Sequence, residues 1–92
     1  MTENEIVEIP ITGVLDLHTF QPCEVAAVVQ DYLETCQSRN ILHVRIIHGK
    51  GIGNLRRTVE ATLKRLPFVD SWKPAGHDAG HWGAVLVDLK MG

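Results

Sequence analysis

Three things are scarce or missing in this 92-residue chain: long apolar runs, cysteines and early basic residues. No apolar run approaches the roughly 18 residues of a membrane-spanning helix, and the first eight residues hold three glutamates and no base. Neither a membrane span nor a secretory signal is therefore predicted. Cys23 and Cys36 fall in one predicted helix, roughly 20 Å apart, which is too far for a disulfide. A cytoplasmic location is expected, with each cysteine a small buried or half-buried residue.

The chain length and composition predict one folded domain. A hydrophobic content of 45% supports a single two-layer core rather than a disordered chain. Residues 1–10 form an acidic arm that ends at Pro10, and residues 11–92 form the domain. No repeat, low-complexity tract or internal linker is visible.

The net charge of −2 conceals a division along the chain. Residues 1–38 carry seven acids and no base, residues 39–66 carry seven bases and one acid, and residues 67–92 carry two bases and three acids. A positive segment in the middle suits a polyanionic partner, whereas the overall acidity argues against a large surface that coats DNA. The alternative is a solvated helix face with ordinary surface charge.

The hydrophobic pattern predicts the order βαβαββ. The first helix follows Pro22 and carries one apolar stripe, while the second runs from about Asn54 to Leu66 and is stopped by Pro67. The predicted strands are 14–17, 41–47, 68–73 and 83–90. The fold class is therefore an α/β (α+β) two-layer sandwich, with a mixed four-stranded sheet and both helices packed on one face.

The stretch from His48 to Gly53 places three glycines where the second strand turns into the second helix. Amides at a helix N-terminus lack intrahelical partners and attract anions, and glycine lets the backbone approach an oxyanion closely. Phosphate is the expected ligand; a glycine turn without a ligand is the alternative. The loop matches neither common nucleotide-binding glycine motif, so a nucleotide cofactor is disfavoured. The predicted phosphate contacts are Gly49, Lys50, Gly51, Gly53 and Arg56.

Asp16 and His18 follow the first strand on one face, at the same sheet edge as the glycine loop if strands one and two are neighbours. A carboxylate can fix an imidazole tautomer, so Asp16, His18 and His48 could perform acid–base chemistry on a phosphodiester. Structural roles stay open: Asp16 could cap the turn at 19–21, His18 could bond a loop carbonyl, and His48 could have a purely structural role. His43 is expected at the surface, without a role.

A metal site is the rival interpretation. His77, Asp78 and His81 are ligand types that zinc accepts, but they lie in a predicted loop, where their spacing means little. A two-metal nuclease needs several converging carboxylates, and here only Asp16 and Asp78 are candidates. No metal or other cofactor is therefore predicted as an obligatory component.

Three short motifs resemble the small MutS-related (Smr) domain family. They are Leu-Asp-Leu-His at 15–18, His-Gly-Lys-Gly at 48–51 and Gly-His-Trp-Gly-Ala-Val-Leu-Val at 80–87, in family order. The resemblance covers roughly residues 11–90 and implies a sandwich similar to the C-terminal domain of a bacterial translation initiation factor. It also implies nucleic-acid binding, with nicking or endonuclease activity in several members, on DNA or on RNA at stalled ribosomes. The family's acid and histidine carry over to Asp16 and His18, and its loop to His48, Gly49 and Gly51.

Two departures from the family pattern affect the expected site. Thr19 stands where glycine is usual, and His81 replaces a glycine and is followed by Trp82. Trp82 could stack on an unpaired base or pack over the sheet edge. With Met1 followed by an ordinary leader, a stand-alone copy of the domain is expected. The predicted function is cleavage of DNA or RNA; a non-catalytic nucleic-acid or ribosome binding module and a protein-interaction adaptor are the alternatives.

Overall fold

A computed structural model describes residues 11–49, 54–75 and 83–91. Its elements follow the predicted order: strand β1 (Val14–Asp16), helix α1 (Val25–Ser38), strand β2 (His43–Ile47), helix α2 (Asn54–Arg65), strand β3 (Val69–Pro74) and strand β4 (Ala84–Leu89). A 3-10 turn over Pro22–Glu24 leads into α1. The predicted fold class is confirmed.

The four strands form one mixed sheet in the order β1-β2-β4-β3. The β1 and β2 strands run parallel, and β4 is antiparallel to both of its neighbours. The expectation that strands one and two are neighbours is therefore confirmed, and their carboxyl ends meet at one edge of the sheet. A register shift between Val69 and Ser71 interrupts the pairing of β3 with β4.

One face of the sheet packs against both helices. Val44 and Ile46 of β2 and Val85 and Val87 of β4 are buried there, because alternate strand residues point to the same side. The helices contribute the predicted apolar stripes: Val25, Val29, Tyr32, Leu33 and Cys36 from α1, and Val59 and Leu63 from α2, with Leu66 just beyond it. Leu55, in the first turn of α2, is half-buried and packs against this core.

The other face of the sheet carries no helix in the described part of the chain. Its side chains run in cross-strand rows: Val14, Arg45, Leu86 and Lys73 form one row, and Asp16, Ile47 and Ala84 the next toward the carboxyl end of β2. Val14 is 47% exposed, and Arg45, Ile47 and Leu86 are half-buried. His43 and Asp88 form a further row on the opposite side of the Arg45 row. The side chains of these three rows are called the open face below.

Helix α1 ends in a Schellman motif that fixes where β2 begins. Asn40 takes a left-handed conformation, with φ of 62°. The amide of Ile41 donates to the carbonyl of Cys36 at 2.8 Å, and the amide of Asn40 donates to Gln37 at 3.0 Å. These bonds satisfy helix-end carbonyls and turn the chain toward the sheet.

The cysteines correct one expectation. Cys36 is fully buried in α1, and its burial raises the pKa of the thiol. Cys23 lies in the 3-10 turn before the helix and is exposed, so the prediction that both cysteines would be buried or half-buried is wrong for Cys23. Both thiols are free, as expected. No helix among the described residues is long and apolar enough to cross a membrane.

Candidate phosphodiester site

Asp16 ends β1 and holds His18 in one orientation. One carboxylate oxygen, Oδ1, accepts the backbone amide of His18 at 2.9 Å and lies 2.6 Å from Nδ1 of the same residue. Leu17, between them, is fully buried and donates its amide to the carbonyl of Ile47 at 2.9 Å. The buried leucine anchors the turn, so both polar side chains are held at the sheet edge.

The electrostatics of this pair favour an ionised carboxylate. The amide of His18 has the largest effect and lowers the pKa of Asp16; desolvation opposes it, and the imidazole of His18 lowers the pKa further. An ionised Asp16 can only accept a hydrogen bond, so Nδ1 of His18 carries the proton. Its Nε2 is then the nitrogen that can exchange a proton with a ligand.

A structural role for Asp16 stays open, because the His18 amide that it accepts lies in the turn closed by the amide of Phe20 donating to the carbonyl of Leu17 at 3.1 Å. The hydrogen bonds of Asp16 go to His18 and not to residues 19–21. The amide of Gln21 is accepted instead by the Glu24 side chain at 3.0 Å. The imidazole of His18 bonds to Asp16 rather than to a loop carbonyl.

His48 is the second imidazole at this edge and is 7% exposed. Its Nδ1 lies 2.9 Å from the carbonyl oxygen of Gly49. A carbonyl can only accept, so Nδ1 of His48 is assigned the proton, and Nε2 is the nitrogen left for proton transfer. Both histidines are thus fixed in the same tautomer by different acceptors.

Gly49 is the point where the two motifs meet. Its φ is +86°, and a β-carbon added to it would lie 3.2 Å from Nε2 of His18. The absence of a side chain at Gly49 therefore leaves room for the imidazole of His18. The expectation that the Asp16–His18 segment and the glycine loop come together is confirmed.

The amide of Gly49 does not face outward as predicted for the loop. The amides of His48 and Gly49 both donate to the carbonyl of Gly83, at 2.7 and 2.9 Å. These two hydrogen bonds to one carbonyl hold the end of β2 against the residue before β4. Gly49 therefore shapes the site through its conformation and its missing side chain, and its amide is already occupied.

Arg56 lies in the first turn of α2, near the N-terminus of the helix that follows the glycine loop. Its Nε donates to Glu60 at 3.3 Å, and about half of its side chain is exposed. This exposed pair along the helix surface is weak. The guanidinium therefore remains available to an anion that approaches the loop.

Other predicted site residues lie outside the described part of the chain: Lys50, Gly51, Gly53 and Trp82. The three candidate metal ligands, His77, Asp78 and His81, also lie outside it. Within residues 11–49, 54–75 and 83–91, no group of three or more histidines, cysteines and acids could hold a metal ion.

Two features of this region were not predicted. One is the Gly83 carbonyl, which depends on how β4 pairs with β2. The other is a second histidine–carboxylate pair on the open face, where Nδ1 of His43 lies 2.8 Å from Oδ1 of Asp88. His43 was expected at the surface, and its side chain is 88% exposed. The two residues are 45 positions apart and are joined only by strand register, which no local sequence signal specifies.

Comparisons with known proteins give a consistent result. The Smr domain family matches residues 15–90. Endonuclease MutS2 of Clostridium botulinum strain Eklund 17B is 36% identical over 76 residues, which is 83% of this chain and 10% of that protein. Endonuclease MutS2 of Halalkalibacterium halodurans is 38% identical over the same length. The chain thus spans about a tenth of these relatives.

Solved structures agree with the sequence comparisons. The Smr domain of Thermus thermophilus MutS2 superposes with a TM-score of 0.80 at 29% identity, covering 86% of this chain and 99% of that one. YdaL, a stand-alone small MutS-related protein from Escherichia coli, gives a TM-score of 0.74 at 26% identity, covering 85% and 64% of the two chains. The predicted fold and the motif resemblance therefore have independent support.

Proposed function

Because the chain belongs to the Smr domain family, we propose that it binds nucleic acid and cleaves phosphodiester bonds at the edge formed by β1 and β2. The relatives named MutS2 are endonucleases, and this chain corresponds to about a tenth of their length. The observation that carries the proposal is the approach of Nε2 of His18 to Gly49, beside the buried His48. His18 approaches Gly49 there, and Nδ1 of His48 contacts the Gly49 carbonyl.

The proposed chemistry divides proton transfer between the two imidazoles. One Nε2 accepts the proton of the attacking hydroxyl or water, and the other, protonated, donates to the leaving oxygen. Asp16 holds the proton on Nδ1 of His18 and stabilises the imidazolium when it forms. The Gly49 carbonyl holds the proton on Nδ1 of His48 in the same way, as a neutral acceptor.

The positively charged segment that follows His48 and Gly49 would bind the negatively charged phosphoryl group. Lys50, the amides of Gly51 and Gly53, and Arg56 are proposed to hold the phosphate, and Trp82 to stack on a base. Gly49 contributes the space that lets the backbone and His18 approach together. No obligatory cofactor is proposed, and a cytoplasmic location remains part of the proposal.

The test is a time course with the purified protein, end-labelled stem-loop RNA and supercoiled plasmid, each in excess EDTA or in magnesium. The control is the double variant Asp16→Asn/His48→Ala. Cleavage that persists in EDTA and disappears in the control is the expected result. Cleavage in magnesium alone would contradict metal-free chemistry, and cleavage by the folded double variant at the wild-type rate would contradict the assignment of the site.

A non-catalytic binding module is the second candidate, for DNA, RNA or a ribosomal surface. The occupied amide of Gly49 favours it, because one fewer donor is available to stabilise charge during cleavage. It predicts salt-sensitive binding without turnover, and weaker binding after Lys50→Ala. Binding that ignores ionic strength would count against it, and no nucleic-acid affinity at all would leave a protein-interaction adaptor.

A further inference from the structure

The open face carries cations that the proposed reaction does not use. Arg45 is half-buried in the centre of its row, between Val14 of β1 and Leu86 of β4, and Lys73 continues the row on β3. Neither side chain has a hydrogen bond or ion pair with another described residue. Within the described part of the chain, two charges on one row therefore have no polar side-chain partner.

The carboxylates near this row are already engaged. Asp88 lies in the neighbouring row and accepts from His43, and Asp16 accepts from His18. Neither carboxylate forms an ion pair with Arg45 or Lys73. The row itself carries two positive charges, which complement a phosphate backbone.

Aliphatic side chains separate and flank the two cations. Leu86 lies between Arg45 and Lys73, Val14 lies at the end of the row, and Ile47 lies in the next row toward the site. Such a surface can contact the flat faces of bases, which a single strand exposes and a duplex keeps stacked inside. The pattern of cations alternating with apolar groups therefore favours a single strand.

The row is continuous with the proposed phosphodiester site. Val14 pairs with Arg45 and Asp16 with Ile47, so the Asp16 row is two residues along the strands from the Arg45 row. Two residues in parallel strands span roughly 7 Å. A strand whose phosphate lies at His18 and Gly49 would thus continue directly over Arg45.

We propose that the open face binds single-stranded nucleic acid across the row Val14, Arg45, Leu86 and Lys73, and delivers it to the phosphodiester site. This inference rests on the proposed function and adds its substrate class. Arg45 and Lys73 contact phosphates, and Leu86 contacts a base between them. The basic last turn of α2, with Lys64 and Arg65, belongs to the other layer and takes no part.

The test is fluorescence anisotropy with a labelled 2′-O-methyl single strand, which avoids cleavage through the 2′-hydroxyl, and with a blunt duplex of the same sequence. The double variant Arg45→Gln/Lys73→Gln is compared with Lys64→Gln/Arg65→Gln, which removes the same charge. The first should bind the single strand several-fold more weakly, and its log–log salt slope should fall by about 1.4, or about 0.7 per lost phosphate contact. The second should bind the single strand like the wild type. Arg45→Lys, which keeps the charge, should retain most of the binding and shows that loss is not due to misfolding.

The outcomes separate this inference from the function it rests on. If Arg45→Gln/Lys73→Gln binds the single strand as tightly as the wild type does, the inference is overturned but the proposed function is not. The same holds if this variant loses duplex binding to the same extent as single-strand binding. A loss confined to Lys64→Gln/Arg65→Gln would place the strand on the helical layer and overturn it as well. No nucleic-acid binding by the wild type would overturn both the proposed function and this inference.

Discussion

Among the residues that the structure describes, two histidine–aspartate pairs have nearly equal geometry in different surroundings. Nδ1 of His18 lies 2.6 Å from Asp16, and Nδ1 of His43 lies 2.8 Å from Asp88. The first pair follows a buried leucine, meets Gly49 and stands beside the buried His48. The second lies on the open face, with the His43 side chain 88% exposed. The pair itself is therefore not what makes a site; the second imidazole and the glycine loop distinguish the first pair.

The largest expected effect is on cleavage by His18→Gln compared with His43→Gln. Loss of a positioned acid–base group lowers rates by about 100-fold or more. The cleavage rate of His18→Gln should therefore be lower by at least that factor, whereas His43→Gln should cleave at the wild-type rate. Initial rates at saturating substrate, with folding checked by circular dichroism, measure this. An equal loss in both variants would remove the distinction between the two pairs.

The next largest effect is expected from alanine substitution at Gly49 of the site, compared with the same substitution at Gly13. Gly49 and Gly13 have φ of +86° and +96°, and a β-carbon on Gly13 would lie 3.3 Å from the carbonyl of His43. An alanine at either position should cost about 1–2 kcal/mol of unfolding free energy, measured by urea denaturation. Only Gly49→Ala should also lower the cleavage rate per folded molecule, because its methyl group meets Nε2 of His18. Full cleavage activity in folded Gly49→Ala would contradict the proposed role of the close contact between His18 and Gly49.

A smaller effect concerns the electrostatics beside the site. Arg56→Gln should lower the salt slope of nucleic-acid binding by about 0.7 for a single strand, whereas Glu60→Gln should tighten binding slightly because it releases Arg56. Lys64→Gln on the last turn of α2 is the matched control and should leave the slope unchanged. If Lys64→Gln lowers the slope as much as Arg56→Gln does, the contribution of Arg56 is general charge and not its place in the first turn.

The smallest effect is on stability as a function of pH. The folded pKa of Asp16 is lowered from its ordinary value of 3.8, so its ionised form stabilises the folded state above that value. This contribution is lost as the pH falls through the lower folded pKa. The difference in unfolding free energy between wild type and Asp16→Asn should shrink as the pH falls below about pH 4. A difference that does not shrink below that pH would contradict the assigned hydrogen bonds.

Local sequence patterns were sufficient to predict the helices and strands, and the meeting of His18 with the glycine loop in the candidate site. Helical and alternating periodicities located both helices and all four strands to within a few residues, because apolar burial sets those periods. The meeting of His18 with the glycine loop followed from parallel neighbouring strands. The Gly83 contact and the His43–Asp88 pair depend on antiparallel register between distant strands, which side-chain packing determines only in the folded chain.

The central claim is that the edge formed by His18, His48 and Gly49 receives a phosphodiester. The most direct measurement is an NMR titration of the histidine ring protons with a 2′-O-methyl dinucleoside phosphate, a probe with one phosphodiester and no 2′-nucleophile. The resonances of His18 and His48 should shift together with one dissociation constant, while those of His43 serve as the internal reference and stay in place. Shifts of His43 without shifts of His18 and His48 would place the phosphate elsewhere and contradict the proposed site.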